Sequence, residues 1–506
     1  MEGPSLRGRA LSGILWMSAD RLLLFAVAAI VTAVLARLLP PSDFGVVGAA
    51  LVAVEIGVQV VNASVTPALV QRSEIPRGLL ATAFWLACGL SVVLYGAVFL
   101  ATPLLATFFG MPALLTVLPV LALLFVFDGV SSVARARQQR ALAFREVVII
   151  RAVADVVGLG VVSIGLALAG YGVWALVGGR LAQSVLRAVG FLARFPHPVT
   201  AVGRGYLGEL VRFGGGVSLQ GLLNSLARQG DAIVVGRMLG ASALGLYNRS
   251  YKMMALPAGF LAESFNGVLF PVMSQVKDRP ESLSTALYRT TALLALLLLP
   301  FSVTASALAP EIVLVVLGPD WRGAIGALQV LALGMFFRAG YKTGMTILKA
   351  RGRVYLAAGL QGTYAVLVVL GAVVGARYGL VGISTGAVIA VVCFFLLGTG
   401  AAIRETGGSV RPLLRALMPG LLVAAVGGGL ALLAAAPLRE VRLSPVATLL
   451  AGGGASGAVW LTALAFAPSL LGQHGRWLHQ MVLQALGRGA DFTPAAPSGA
   501  PPGPGA

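Results

Sequence analysis

Apolar stretches of twenty or more residues recur along the whole chain, near 12–37, 44–70, 79–107, 113–135, 148–169, 172–195, 210–236, 244–275, 285–317, 324–348, 354–376, 380–403, 412–436 and 444–467. A run of about 20 apolar residues matches the hydrocarbon thickness of a bilayer at 1.5 Å per helical residue. Inside hydrocarbon the backbone N–H and C=O groups must be satisfied within the segment, which selects the α-helix. The pattern predicts an all-α polytopic membrane protein of about fourteen transmembrane helices. The runs near 79–107 and 285–317 exceed one crossing, implying tilt, a kink at Pro103 or Pro300, or an interfacial extension.

Only 11% of the 506 residues are charged, yet the net charge is +19. A nucleic-acid surface needs its basic residues gathered on one soluble domain, whereas these are dispersed among the apolar runs. Membrane topology accounts for them instead. Twenty-one Lys and Arg residues, from Arg7 and Arg9 through Arg72, Arg77, Arg135, Arg140 and Lys349 to Arg488, fall in connections on one side. The other side has six: Arg37, Arg237, Arg322, Arg377, Arg439 and Arg442. The positive-inside rule places the richer side, with both termini, in the cytoplasm. Cys88 and Cys393 each stand alone inside apolar runs, and the three histidines, His197, His474 and His479, lie in connections or the tail. No metal centre, cofactor site or membrane-embedded histidine relay is therefore expected. Residues 12–37 are too long for a signal-peptide core and carry Asp20 and Arg21, so no cleaved signal is expected. Residues 471–506 read as a cytoplasmic amphipathic segment followed by a disordered Pro/Gly/Ala tail.

The chain also repeats itself. Arg37-Leu-Leu-Pro-Pro-Ser-Asp-Phe-Gly45 returns as Arg237-Met-Leu-Gly-Ala-Ser-Ala-Leu-Gly245. Arg140-Ala-Leu-Ala-Phe144 resembles Arg351-Gly-Arg-Val-Tyr355, and Tyr171-Gly172-Val173 resembles Tyr378-Gly379-Leu380. Three pairs in the same order imply two six-helix modules. Six crossings are even, so both copies run in the same sense, a parallel repeat about an axis along the membrane normal. The expected organisation is an N-terminal lobe at 1–200, a C-terminal lobe at 201–408, two extra helices at 409–470 and the tail at 471–506.

Charges inside apolar helices cost several kcal/mol each unless they face water or a partner, so they carry the functional information. Gln220, Asn224, Arg228 and Asp231 form one stripe on the seventh helix, and Glu55, Gln59, Asn62 and Thr66 another on the second. The eighth carries Asn248, Lys252, Glu263 and Asn266 with Arg249 beside them; the tenth carries Arg338 and Lys342, and the sixth Arg180, Gln183 and Arg187. These stripes predict a water-filled cleft between the lobes whose cations hold an anion, with Arg21, Arg228, Arg249, Lys252, Asn224, Gln59 and Arg338 as substrate-binding residues. The planar Arg fork suits a diphosphate. The bland alternative is mutual neutralisation within one helix, as for Arg151 and Asp155 or Arg228 and Asp231. Asp128 is expected to pair with Arg135 or another cytoplasmic-side group. Candidate ion-coupling acids are Glu55, Glu263, Asp231 and Asp20. Glu55 and Glu263 are favoured because no basic residue lies three or four positions away on their own helix.

Leu35-Ala-Arg-Leu-Leu-Pro-Pro-Ser-Asp-Phe-Gly45, Leu69-Val-Gln-Arg72 followed by Thr82-Ala-Phe-Trp85, Asp231-Ala-Ile-Val-Val-Gly236 through Gly245-Leu-Tyr247, and Phe270-Pro-Val-Met273 resemble the polysaccharide-export flippases of the colanic-acid and teichuronic-acid exporter type. These belong to the multidrug/oligosaccharidyl-lipid/polysaccharide exporter superfamily, and the resemblance covers roughly residues 10–430. It implies two helical lobes and transfer of an undecaprenyl-diphosphate-linked oligosaccharide repeat unit across the bacterial inner membrane by alternating access. The implied partners are this lipid-linked oligosaccharide, membrane lipids, a coupling ion (H+ or Na+) and a polysaccharide polymerase or export machinery. The runner-up is a cation-coupled multidrug antiporter of the same superfamily, against which the excess of intramembrane cations argues. A polytopic polyprenyl-sugar enzyme is disfavoured, because Asp43, Glu311, Asp320 and Glu440 are scattered singly and make no paired acid/base site.

Overall fold

The structure, a computed structural model, describes residues 27–72, 75–141, 144–200, 203–275 and 280–466; the side chains of 212–224 and 260–275 are not described. Asp20, Arg21 and the tail therefore lie outside the described residues, as do the side chains of Asn224 and Glu263. The described residues form helices joined by short turns, with no strand among them. The first module runs through α1 (Val27–Leu38), α2 (Pro41–Gln71), α3 (Arg77–Phe109), α4 (Leu114–Ala122), α5 (Leu124–Ala141), α6 (Phe144–Ala154), a π stretch (Asp155–Val162), α7 (Ser163–Leu168) and α8 (Val173–Arg194). Next, the helical span Leu207–Gln275 has one non-helical residue, Gly240, at φ 82° and ψ −175°. It divides the span into α9 (207–239) and α10 (241–275). The remainder is α11 (Pro280–Ala307), α12 (Ala309–Val316), α13 (Ile325–Leu333), α14 (Met335–Ala350), α15 (Val354–Gly375), α16 (Gly379–Glu405), α17 (Val410–Glu440) and α18 (Pro445–Phe466). Nine helical stretches among the described residues are long and apolar enough to cross a membrane.

The turns recur where the sequence repeats. Leu39 and Pro40 separate α1 from α2, and Leu239 and Gly240 separate α9 from α10. Gly172 and Gly379, each after a Tyr, both take positive φ, 53° and 68°. A match that the three sequence pairs miss is Leu118-Pro-Val-Leu-Ala-Leu123 with Leu328-Gln-Val-Leu-Ala-Leu333, and each copy ends at a helix break, Leu123 in one and Gly334 in the other. Three breaks differ from expectation. Pro103 and Pro300 sit inside unbroken helices, and the long ninth run, near 285–317, breaks instead at Leu308, two residues before Pro310. The stretch near 113–135 is two helices, and the one near 148–169 contains the π stretch.

The two modules meet at the end that carries Arg37. There a Cβ on Gly45 would overlap the Ala241 carbonyl, and a Cβ on Gly245 would overlap the Pro41 carbonyl. Position 41 meets 245 and position 45 meets 241, the reciprocity that a two-fold relation between copies offset by 200 residues requires. Trp321 Nε1 donates to the Ala36 carbonyl at 2.7 Å, its indole meets Phe44 edge-on at 5.1 Å, and Arg37 donates to the Val315 carbonyl at 2.8 Å. The largest buried apolar cluster spans both modules at this end, joining Leu35, Phe44, Phe109 and Leu114 to Leu244, Val313, Trp321 and Leu328. Toward the Arg72 end the described clusters are smaller, one around Val61, Leu79 and Val133 and another around Leu283, Ile347 and Ile403. Helices α17 and α18 lie against α11 and α12: Gly420 abuts Ala295 and Thr304 bonds Ser456 at 2.6 Å on α11, and Arg439 forks onto Glu311 of α12 at 2.7 and 2.8 Å.

The connection between the modules is strapped to α3. Trp85 Nε1 donates to the Val199 carbonyl at 2.9 Å, and Thr82 and Gly203 exchange hydrogen bonds at 3.2 and 3.1 Å. The His197 ring lies 5.1 Å from that of Phe84, with neither ring nitrogen bonded among the described residues. Burial holds the His197 pKa below its ordinary 6.5, opposed by the nearby Phe195 backbone and helped by the Arg137 charge. A depressed pKa means that the docked state favours neutral imidazole, so its contribution is complete above about 6.5 and is lost as pH falls through the depressed value. Hydrogen exchange at residues 195–200, corrected for intrinsic rate, is expected to quicken between pH 7.5 and 5. His197→Phe should remove that dependence. Gly245→Val is expected to destabilise the protein by roughly 1–3 kcal/mol through overpacking at the α2–α10 crossing, read as a lower Tm in detergent.

Candidate functional site

Glu55 lies 14 residues from Pro41 and 16 from Gln71, about 21 and 24 Å along α2, which is mid-membrane for a helix of this length. Both Glu55 and Gln59 are exposed. On a lipid-facing surface that would be costly, but Gln229 of α9 reaches Glu55 Oε2 at 3.5 Å, so this face of α2 turns toward the other module. Lys252, 11 residues into α10, is also exposed. Its ammonium lies near enough to Arg249, Arg180 and Glu55 for their charges to act on it. Arg180, on α8, likewise feels Glu55, Asp128, Asp155 and Arg187. Residues from α2, α8, α9 and α10 thus converge on one mid-depth cleft between the modules.

The partners divide these charges into two classes. Asp128 pairs with Arg135, as expected, and Arg135 also donates to Asn62 Oδ1 at 2.6 Å. Asp155 accepts from Arg187 at 2.5 Å and from Gln183 at 2.6 Å. Asp231 is buried, accepts from the Tyr247 hydroxyl at 2.7 Å and from the Ala232 N–H, and feels Arg338 rather than closing a pair with Arg228. Arg338 itself lies 4.4 Å over the Tyr251 ring and within hydrogen-bonding reach of Tyr364. These groups are neutralised within one module.

The second class is not. Arg249 is held over the Phe44 ring at 4.2 Å and donates only weakly to Thr32, at 3.3 Å. Arg180 gives one N–H to Gln183 Oε1 at 2.9 Å. Arg228 and Lys252 are exposed, and neither forms a hydrogen bond or ion pair with the described residues. The Glu55 carboxylate acts on two of these cations, Arg180 and Lys252. Sequence reasoning favoured Glu55 as an ion-coupling acid for want of a basic neighbour on its own helix; the basic neighbours come instead from α8 and α10, which an i,i+4 rule cannot see. Asp231 and Arg338 lie together in the C-terminal module, Gln59 and Glu55 one turn apart on α2. Arg180 is the residue the sequence-based site omitted. Its signal was its place on the stripe with Gln183 and Arg187, but nothing in the sequence distinguished it from Arg187.

An array of cations with donors to spare, in a cleft at mid-depth, fits an anionic group of several oxygens. The family model described as "Polysaccharide biosynthesis protein" matches residues 34–326. The chain belongs to this family. It is 25% identical over 410 residues to the lipopolysaccharide biosynthesis protein WzxC of Escherichia coli, covering 80% of this chain and 83% of that one. To the succinoglycan biosynthesis transport protein ExoT of Rhizobium meliloti it is 28% identical over 332 residues, covering 65% and 67%. The fold is similar to that of the lipid II flippase MurJ in an inward closed conformation, with a TM-score of 0.71 at 12% identity over 94% of this chain and 100% of that one. The polysaccharide biosynthesis family and the transporter fold establish the chain as a multi-pass membrane protein.

The two charge classes predict opposite effects on stability. Asp128→Asn strands Arg135 and should lower Tm by several degrees, most of it recovered by adding Arg135→Gln. Lys252→Leu removes a cation without a partner and should leave Tm unchanged or raise it. A lower Tm in Lys252→Leu would mean that this ammonium has a structural role.

Proposed function

We propose that this protein is a carrier, not an enzyme, that flips an undecaprenyl-diphosphate-linked oligosaccharide repeat unit across the bacterial inner membrane by alternating access, in exopolysaccharide or surface polysaccharide biosynthesis. The observation that carries this reading is the mid-depth approach of Arg180 and Lys252 to Glu55, with Arg249 beside Lys252; in this reading Arg228 joins the same cluster. A diphosphate brings about two negative charges to a cleft that has an excess of cations, and it leaves the prenyl chain to lipid. The names of WzxC, ExoT and MurJ, which describe polysaccharide biosynthesis, transport and lipid II flipping, support the substrate class.

In this reading about fourteen helices cross the membrane, both termini are cytoplasmic, and the N-terminal lobe (1–200) and C-terminal lobe (201–408) rock against each other, with 409–470 attached to the second. The close packing at the Arg37 end is then the periplasmic closure, and the head group enters from the Arg72 end. Substrate contacts extend to Arg21, Asn224 and Gln59, while Arg338 acts from the C-terminal lobe. Glu55, Glu263, Asp231 and Asp20 are the acids through which a coupling ion, H+ or Na+, acts. A polysaccharide polymerase or export machinery receives the product.

A deletion strain complemented with wild type should export surface glycan normally. With Arg228→Ala, or with Arg180→Ala combined with Lys252→Ala, it should accumulate undecaprenyl-linked repeat units in the cytoplasmic leaflet at normal protein level, with export reduced at least tenfold. Unchanged export in the combined variant would overturn the assignment of the cleft.

A further inference from the structure

We infer that Gln183 and Asp155 are positioning residues that aim the Arg180 guanidinium into the cleft, forming a relay from the π stretch of the fifth expected helix to the substrate's anionic group. The inference rests on the diphosphate-binding reading of the cleft.

A long Arg side chain in an open cleft has many rotamers, and ordering it costs on the order of 1–2 kcal/mol unless a fixed acceptor holds it. Arg180 has such an acceptor three residues along α8, the Gln183 amide oxygen at 2.9 Å. An amide can present oxygen or NH2 in either direction, so Gln183 alone cannot specify which group faces Arg180. Asp155 decides it. A carboxylate accepts and cannot donate, and its Oδ1 lies 2.6 Å from Gln183 Nε2, which turns Gln183 Oε1 toward the guanidinium. Arg187, 2.5 Å from the same Oδ1, keeps a cation beside that carboxylate. Asp155 and Gln183 are both buried, so water cannot readily replace either bond.

The backbone is shaped to bring these groups together. Asp155 opens the π stretch Asp155–Val162, a widened helix of the kind found at functional sites. Gly158 within it lies against the Gln183 backbone, where any Cβ would collide, and Gly179 of α8 lies against Ser163 and the Gly158 carbonyl in the same way. Glycine on both helices permits the approach that puts a carboxylate and an amide in contact. Arg180 spends one N–H on Gln183, and its other donors meet no acceptor among the described residues and are left for the ligand.

The test uses the full-length protein in detergent with two probes, undecaprenyl diphosphate and undecaprenol, which share the prenyl chain and differ in the anion. Wild type should bind the diphosphate at least tenfold more tightly. Gln183→Met, similar in volume and without an amide, should reduce that preference about tenfold, the scale of one charge-assisted hydrogen bond, while leaving undecaprenol affinity unchanged. In an Arg180→Ala background the same change should add less than twofold, since Gln183 acts through Arg180. Should Gln183→Met not fold, Gln183→Asn, too short to span Asp155 and Arg180, should give the same result. Equal weakening for both lipids, or a full additional loss in the Arg180→Ala background, overturns the relay while leaving the diphosphate reading intact. If Arg180→Ala leaves the preference at its wild-type value, the relay fails together with Arg180's part in that reading.

Discussion

Everything mechanical in this protein depends on the crossing of α2 and α10 at Gly45 and Gly245. Two helices that meet with a glycine on one side of each contact, Gly45 on Ala241 and Gly245 on Pro41, come close enough for carbonyl oxygens to occupy the space of a Cβ. That approach closes the Arg37 end, where Trp321 is seated against Ala36 and Phe44. About 15 Å further along α2, at Glu55, the helices have separated enough for exposed polar groups to face each other. The cleft is the geometric consequence of a tight crossing at one end.

Electrostatics then sorts the cleft. In a low-dielectric bundle each charge must be paired, hydrated or held for a ligand. Asp128 with Arg135, and Asp155 with Arg187, satisfy the first condition within the N-terminal module, and Asp231 with Tyr247 does so in the C-terminal one. Arg180, Arg249 and Lys252 do not, and they stand where the modules face each other. In the proposed reading stability and function fall on different residues: paired groups hold each module together, while an incoming anion neutralises the cations without acid partners.

Legibility from sequence followed the range of the interaction. The helical class, the turns at Leu39–Pro40 and Leu239–Gly240, and the Asp128–Arg135 pair were readable because hydropathy, repeat spacing and separations of a few residues along one helix are local. The polar face of α2 was readable for the same reason: Glu55 and Gln59 are exposed, and Gln229 of α9 reaches Glu55. The break at Leu308 rather than Pro300, and the π stretch at Asp155, were not readable. Both depend on how one helix accommodates its neighbours, as Gly158 does against Gln183.

Sequence alone determined that this chain uses lipid as its solvent, that it repeats a module, and that an excess of cations lies within apolar helices. Each follows from composition and period, which survive without coordinates. Tertiary structure decided which cations lack an acid partner. Arg180 and Arg187 share one stripe on α8 and are indistinguishable by spacing, but Asp155 arrives from another helix to take Arg187 directly and Arg180 only through Gln183. Charge neutralisation acts through space over a few ångströms, and only folding establishes which groups are that close.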